Sequence, residues 1–259
     1  MSEETIQFSL EGHIATVSLN RPERRNAMDI AMWKRLLDVI EKVKSLEEVR
    51  VMILTSSLDD IFSAGADIGE LEKNSEHNNL REESYLAMER GFKSINELEI
   101  PSLAVVKGSC YGAGVGLILS CDFRISLPTA KLSITPAKLG MVFPLPETRR
   151  LLNLVGPSDA RHLLFSASPI QGDEALQMGL VDKVVQDDEI DETVKSLAST
   201  MAENSKCSIS GIKKIFKLID EGARDDNIEA INIFKSAYYG EDFKEGAKAF
   251  REKRKPNFK

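Results

Sequence analysis

Residues 106–122 read VKGSCYGAGVGLILSCD, and the interpretation of the whole chain turns on them. The stretch begins at the end of an apolar run, residues 103–106. It then passes through four glycines in nine residues: Gly108, Gly112, Gly114 and Gly116. An apolar, helix-like segment from Leu117 to Cys121 follows. A strand that ends in a glycine-rich turn and feeds a helix leaves backbone N–H groups unpaired at the helix start. Those donors, with the positive end of the helix dipole, suit a developing negative charge. The same pattern also describes a tight turn with close backbone packing, which is what most glycine clusters are.

Outward from this stretch, the order strand, glycine-bearing turn, helix recurs. Ile6, Phe8 and Leu10 alternate, Glu11-Gly12 turns, and Ala15, Val17 and Leu19 alternate again, which is a hairpin signal ended by Asn20-Arg21-Pro22. Asp29 is placed to cap a helix whose apolar positions are Trp33, Leu36, Leu37, Ile40 and Val43. Residues 51–55 form a buried strand, and residues 59–79 read as a polar, mobile surface segment. Tyr85, Met88, Phe92 and Ile95 mark the next helix. Residues 123–127 and 132–134 are short strands, and residues 149–155 and 159–165 are helical, parted by Gly156-Pro157. A short helix, residues 174–178, ends at Gly179, and a short apolar run, residues 180–185, follows. From Glu189 the pattern is helical throughout. This is a layered α/β core with a helical C-terminal region, divided near Asp187 into residues 1–187 and 188–259.

Bulk properties exclude several classes. The 259 residues suit one large domain, or a domain with a small appendage, and 42% hydrophobic with 29% charged residues is ordinary for a globular chain. A net charge of −7 argues against broad nucleic-acid binding but allows a local basic patch for a phosphorylated ligand. Cys110, Cys121 and Cys207 show no metal-ligand spacing, and the first two are expected to be buried thiols. A reducing, cytoplasmic compartment fits best. The N-terminus MSEETIQF is acidic and lacks the apolar run of a secretory signal, and no apolar stretch is long enough to span a membrane.

A second motif, Phe62-Ser63-Ala64-Gly65-Ala66-Asp67-Ile68, follows the apolar run at 51–55. Together the two motifs resemble the crotonase (enoyl-CoA hydratase/isomerase) superfamily. The likeness extends from Asn20-Arg21-Pro22-Glu23 to the basic C-terminus. It implies a spiral core of repeated ββα units with a C-terminal helical region, and an assembly that is a homotrimer or a dimer of trimers. It also implies an oxyanion hole for the thioester carbonyl of an acyl-CoA, made by the N–H groups of Ala66 and Ala113. The family usually has glycine at the position of Ala113; alanine keeps the N–H and narrows the site by a methyl.

Hydratases of the family carry two glutamates, in G-G-G-x-E and P-E-x-x-x-G patterns. Gly116 and Pro136 stand at those two places here. Water activation by a carboxylate pair has no agent at either position. Some isomerases of the family set a single base four residues after the second glycine, where this chain has Pro144; the nearest carboxylate is Glu147, which also suits a helix start. Ser166-Ala167-Ser168-Pro169-Ile170, Ala175-Leu176 and the tail from Glu241 to Phe258 resemble the methylmalonyl-CoA decarboxylase branch. That branch has histidine at the place of Ala66 and tyrosine at that of Phe143. Tyr111 is the remaining polar side chain of the glycine cluster, read as a weak acid or as packing.

The resemblance further implies that Arg24 and Arg25 meet the CoA nucleotide, that Phe250 lies against the adenine and that Lys253 meets a phosphate. Ala27, Ala64, Asp67 and Ile68, from the same motifs, are expected acyl-CoA contacts, and Asp67 is expected to hold its loop by accepting N–H bonds. No separate cofactor or metal is implied, since coenzyme A enters as part of the substrate. Three readings remain: an enolate-forming acyl-CoA enzyme (isomerase, decarboxylase or unusual hydratase), a catalytically silent acyl-CoA binder, and a scaffold. The two motifs and the arginines argue against the scaffold, whereas the missing glutamates favour the silent binder.

Overall fold

The computed structural model describes residues 4–74 and 76–258; residues 1–3 of the acidic N-terminal stretch, Ser75 of the polar stretch and Lys259 lie outside the described residues. The hairpin is as expected: β1 (Ile6–Glu11) pairs antiparallel with β2 (Ile14–Leu19) around Gly12. A 3-10 turn, Pro22–Arg24, leads to α1 (Ile30–Ser45). Asp29 caps that helix by accepting the Met32 N–H at 2.8 Å. The buried stripe of α1 is Met32, Trp33, Leu36, Val39, Ile40 and Val43, while Leu37 is only half-buried. The spacing of Leu36, Val39, Ile40 and Val43 sets the inward face, and Leu37 falls beside it.

Three circuits of a spiral follow, each of two strands and a helical segment. The first is β3 (Val51–Ser56), β4 (Ile61–Ser63), α2 (Ile68–Asn74) and α3 (Asn78–Asn96). The second is β5 (Ser102–Val106), β6 (Ser109–Tyr111) and α4 (Ala113–Leu119). The third is β7 (Phe123–Ser126), β8 (Lys131–Ser133), a 3-10 turn at Pro136–Leu139 and α5 (Leu145–Ser166). β9 (Ile170–Gln171), α6 (Gly172–Met178) and β10 (Lys183–Val184) complete the core. The first strand of each circuit joins a six-stranded sheet of order β1-β2-β3-β5-β7-β10, parallel except for the hairpin. The second joins a four-stranded sheet of order β4-β6-β8-β9. This is the repeated ββα core that the resemblance implied.

The larger sheet is covered on both faces, which is why β3 and β5 read as continuous apolar runs. Met52, Leu54, Ala104 and Val106 point into the main core with α1, whereas Val51, Ile53, Leu103 and Val105 point the other way. That second face is closed by α7 (Asp187–Ala202), whose Ile190, Val194, Ala198 and Ala202 recur every fourth residue. Burial of such a stripe contributes about 0.8 kcal/mol for each CH2 group removed from water.

One expectation needs correcting. Residues 59–79 are not one irregular surface segment: β4 is fully buried there, and α2 occupies Ile68–Asn74. The polar side chains that made the stretch look loose sit on the exposed side of α2 and around it. At Gly156 the two helical stretches of α5 are parted as expected, by a kink where Gly156 takes φ 72° and ψ 173°.

The remaining helices are α8 (Lys206–Asp220), α9 (Ile228–Tyr238) and α10 (Glu241–Glu252), in which only Ala249 is buried. The tail after α10 is latched to the body. Arg254 makes a two-pronged pair with Glu245 at 2.6 and 3.0 Å, and Arg50 donates to the Phe258 carbonyl at 2.6 Å. The Arg254 hydrogen bonds, helped by the Asn257 N–H, hold the Glu245 carboxyl down to about 2. Among the described residues no helix is long and apolar enough to cross a membrane.

Candidate active site

The first expected donor lies on the loop after β4. Met28 and Ala66 form a parallel bridge in which Met28 donates to the Gly65 carbonyl at 2.8 Å and Asp67 donates to the Met28 carbonyl at 3.0 Å. In that arrangement the flanking residues make the bonds, and the N–H of Ala66 itself faces away. The second donor starts α4. Gly112, at φ 50°, gives its N–H to the Ser133 carbonyl at 2.9 Å and turns the chain sharply. Ala113 is then the first helical residue, so its N–H has no acceptor within the helix.

The two turns abut. A Cβ placed on Gly65, at φ 97°, would lie 2.8 Å from the Tyr111 carbonyl oxygen and 3.3 Å from the Ala113 nitrogen. A Cβ on Gly114 would lie 2.9 Å from the Ser63 Cβ. Only glycines let the backbones approach this closely. The structure thus brings the Ala66 and Ala113 loops together as two neighbouring turns, after β4 and β6 of the small sheet.

The segment before α1 is stitched to the first turn. Asn26, buried at φ 53°, donates to the Phe62 carbonyl at 3.0 Å and accepts the Arg21 N–H at 2.7 Å. Ala64 donates to the Arg25 carbonyl at 2.9 Å, and the Ser63 hydroxyl donates to the Asn26 carbonyl at 2.7 Å. Asp67 accepts the Glu70 N–H at 3.2 Å, as expected of it, and also pairs with Arg21 at 2.9 Å. Burial pushes the Asp67 carboxyl up, but the Arg21 hydrogen bond, the Glu70 N–H and the charges of Arg21 and Arg24 outweigh it, and the net shift is downward. Burial raises Glu70, which accepts the Ile30 N–H at 2.9 Å.

The role of Arg21 was not visible in the sequence. Asn20-Arg21-Pro22 reads as the end of a strand and the start of the family likeness, neither of which gives Arg21 a partner, and acceptors of the guanidinium lie up to 46 residues away. The polar start of the stretch, together with an arginine just before a proline turn, was the one available signal.

Arg24 and Arg25 lie exposed in and just after the first 3-10 turn, with Arg25 at φ 52°. Ala64 and Ile68 are exposed beside the first donor, while Ala27 is half-buried. Tyr111 is half-buried at the end of β6, paired with Ser133. Phe250 is 85% exposed near the end of α10, and Lys253 is its left-handed C-cap; α10 packs mainly against α9. Among the described residues no hydrogen bond links Phe250 or Lys253 to Arg24 or Arg25.

Glu147 sits in the first turn of α5, 3% exposed, and accepts from Arg150 at 2.8 Å. Burial raises its carboxyl, and the Arg150 charge opposes this without cancelling it. Cys110 and Cys121 are buried as expected; burial pushes the Cys110 thiol far up and the Cys121 thiol to about 12. Neither serves as a thiolate at neutral pH. Among the described residues no group of His, Cys, Asp and Glu is arranged to hold a metal ion. A cleft of about 910 Å3 lies on the outer face of the large sheet, between Thr16, Thr55, Lys107, α7 and the tail, and includes neither Ala66 nor Ala113. Its Lys107, Lys195 and Lys255 are paired with Asp191, Glu11 and Glu203.

The fold is a spiral of ββα units in which two N–H-bearing turns abut. The chain belongs to the enoyl-CoA hydratase/isomerase family, whose model matches residues 9–259. It is 35% identical over 262 residues to a crotonyl-CoA hydratase of Syntrophomonas wolfei, spanning 100% of this chain and 99% of that protein. It is 29% identical over 262 residues to a methylmalonyl-CoA decarboxylase of Escherichia coli, with the same coverage. Among solved structures, an enoyl-CoA hydratase/carnithine racemase from Magnetospirillum magneticum matches with a TM-score of 0.94 at 30% identity, over 100% of this chain and 96% of that one.

Proposed function

We propose that this chain binds an acyl-CoA thioester and stabilises its enolate with the N–H groups of Ala66 and Ala113. The observation that carries this is the contact between the two donor turns at Gly65 and Ala113. Two fixed donors in a dry site act on the carbonyl oxygen where charge develops, and one such donor is worth about 3–4 kcal/mol of transition-state energy. Arg24 and Arg25 supply the cations for the CoA phosphates, and coenzyme A enters as part of the substrate.

Among reactions that pass through an enolate, decarboxylation of a malonyl-type thioester makes the least demand on side chains. The bond from the α-carbon to the carboxylate breaks, its electron pair moves into the thioester as the enolate, and CO2 leaves. A proton from water then returns to the α-carbon. Support comes from the absence of a carboxylate at Gly116 and Pro136, and from the likeness to the E. coli decarboxylase. A second reading, double-bond isomerisation with Glu147 as the base, is favoured by one observation: a buried carboxyl with a raised pKa.

The exposed apolar side chains of α8 and α9, Ile212, Phe216, Ile228 and Phe234 among them, fit burial between copies in a homotrimer or dimer of trimers. Buried free thiols fit a reducing cytoplasm. The test is a panel of acyl-CoA thioesters read by thermal shift, followed by mass analysis of products. Ligand at a hundred times Kd stabilises the fold by about 2.7 kcal/mol. No shift with any thioester at millimolar concentration overturns the reading.

A further inference from the structure

Arg21 is the hub between the two parts of the site that come from distant sequence. Its Nη1 donates to Asp67 at 2.9 Å and to the Ala27 carbonyl at 2.8 Å, and its Nη2 reaches Asp29 at 2.9 Å. Its side chain is 15% exposed, and those of Asp29 and Asp67 are 20% and 14% exposed. Each acceptor has a separate duty. Asp67 follows the donor Ala66 and caps the start of α2 through the Glu70 N–H. Ala27 lies between the exposed arginines and the Met28–Ala66 bridge. Asp29 caps α1. The main chain of Arg21 takes part as well: its carbonyl accepts the N–H groups of Arg24 at 3.1 Å and Asn26 at 3.0 Å. One planar guanidinium therefore fixes the expected nucleotide-binding turn, the start of α1 and the donor loop relative to one another. A lysine ammonium, a point charge without the fork, cannot meet three acceptors in these directions.

We infer that Arg21 is a positioning residue for the Ala66 donor: it sets the direction of that N–H before any ligand arrives, and ties it to the Arg24–Arg25 turn. This rests on the oxyanion reading given under the proposed function. Arg21 touches no reacting atom and acts through Asp67 and Ala27. Its loss loosens the Met28–Ala66 bridge by freeing the loop on its Asp67 side. The chemical step is then slowed more than CoA binding, because Arg24 and Arg25 keep their own charges.

The test compares Arg21→Met and Arg21→Lys with Lys213→Met, which removes a cation as well covered as Arg21, paired with Asp122, elsewhere in the fold. Backbone amide exchange is followed at residues 64–67, and steady-state kinetics with a thioester that the wild type turns over. Faster exchange of the hydrogen-bonded Ala64 and Asp67 amides in both Arg21 variants, with α7 unchanged, is expected. A misplacement on the scale of 1 Å lowers rate by about 10²-fold, so kcat should fall by that order while KM moves little. The Lys213→Met protein should show neither effect. Unchanged Ala64 and Asp67 amides in Arg21→Met, or a folded Arg21→Met protein with wild-type kcat, overturn the inference. A wild type that turns over no thioester overturns the functional reading alone, and the exchange measurement still decides whether Arg21 holds the loop.

Discussion

Gly116 on α4 and Phe92 on α3 share one space. A Cβ added at Gly116 would lie 2.5 Å from the Phe92 Cζ, and Phe92 is itself wedged edge-on against Trp33 at a centroid distance of 5.2 Å. The place where family hydratases carry their first glutamate is thus filled from behind by an aromatic ring. Gly116→Ala should destabilise the protein by about 1–3 kcal/mol through overpacking, read by urea denaturation. Gly116→Glu should be worse and should not confer hydratase activity. A stable Gly116→Glu protein would show that Phe92 swings aside freely.

Hydration of crotonyl-CoA by the wild type should be slow. Each missing acid or base is worth typically about 10²–10⁴-fold, and Gly116 and Pro136 supply neither. The measurement is loss of the enoyl absorbance. Turnover comparable to an efficient enzyme would mean that a group other than these two activates water.

Ala113→Pro removes one donor, since proline has no N–H. Ala113 is the first residue of α4, the helical position that tolerates proline best. The fold should survive, checked by circular dichroism and melting, while turnover drops by about 10²–10³-fold. Retained turnover in a folded variant would remove Ala113 from the hole.

Glu147→Gln separates the two readings of that carboxylate. A carboxyl whose folded pKa is raised holds its proton more tightly in the fold than in the unfolded chain. Its contribution is fully favourable below the ordinary value of 4.5 and is lost as pH rises through the raised folded value. The stability of wild type relative to Glu147→Gln should therefore decline between acid and neutral pH, as followed by denaturation at several pH values. Turnover should stay nearly intact if the residue only starts α5. A loss of about 10²-fold or more in a folded variant would make it the isomerase base.

Much of this molecule is written in local pattern. The hairpin, the cap at Asp29, the continuous apolar strands and the breaks at Gly156 and Gly179 all follow from period and turn chemistry, because each depends on neighbours within a few residues. The stretch 59–79 was misread because β4 is three residues long, too short for any period to show. Arg21 was missed for a different reason: its partner Asp67 is 46 residues away, and long-range pairing leaves no mark in a single sequence. The two donor turns were legible only through their glycines and a family likeness. Their contact at Gly65 and Ala113 is a property of the fold.

The spiral has one further consequence. The donor turns follow β4 and β6, and those strands are hydrogen-bonded neighbours. Adjacent strands sit about 4.8 Å apart whatever side chains they carry. The pitch of the coil therefore acts as a ruler for the spacing of the two turns, cut in main chain alone. Residues such as Pro136 and Phe143 can be exchanged without resetting the ruler, so under the proposed function the electron sink stays in register while the surrounding chemistry drifts.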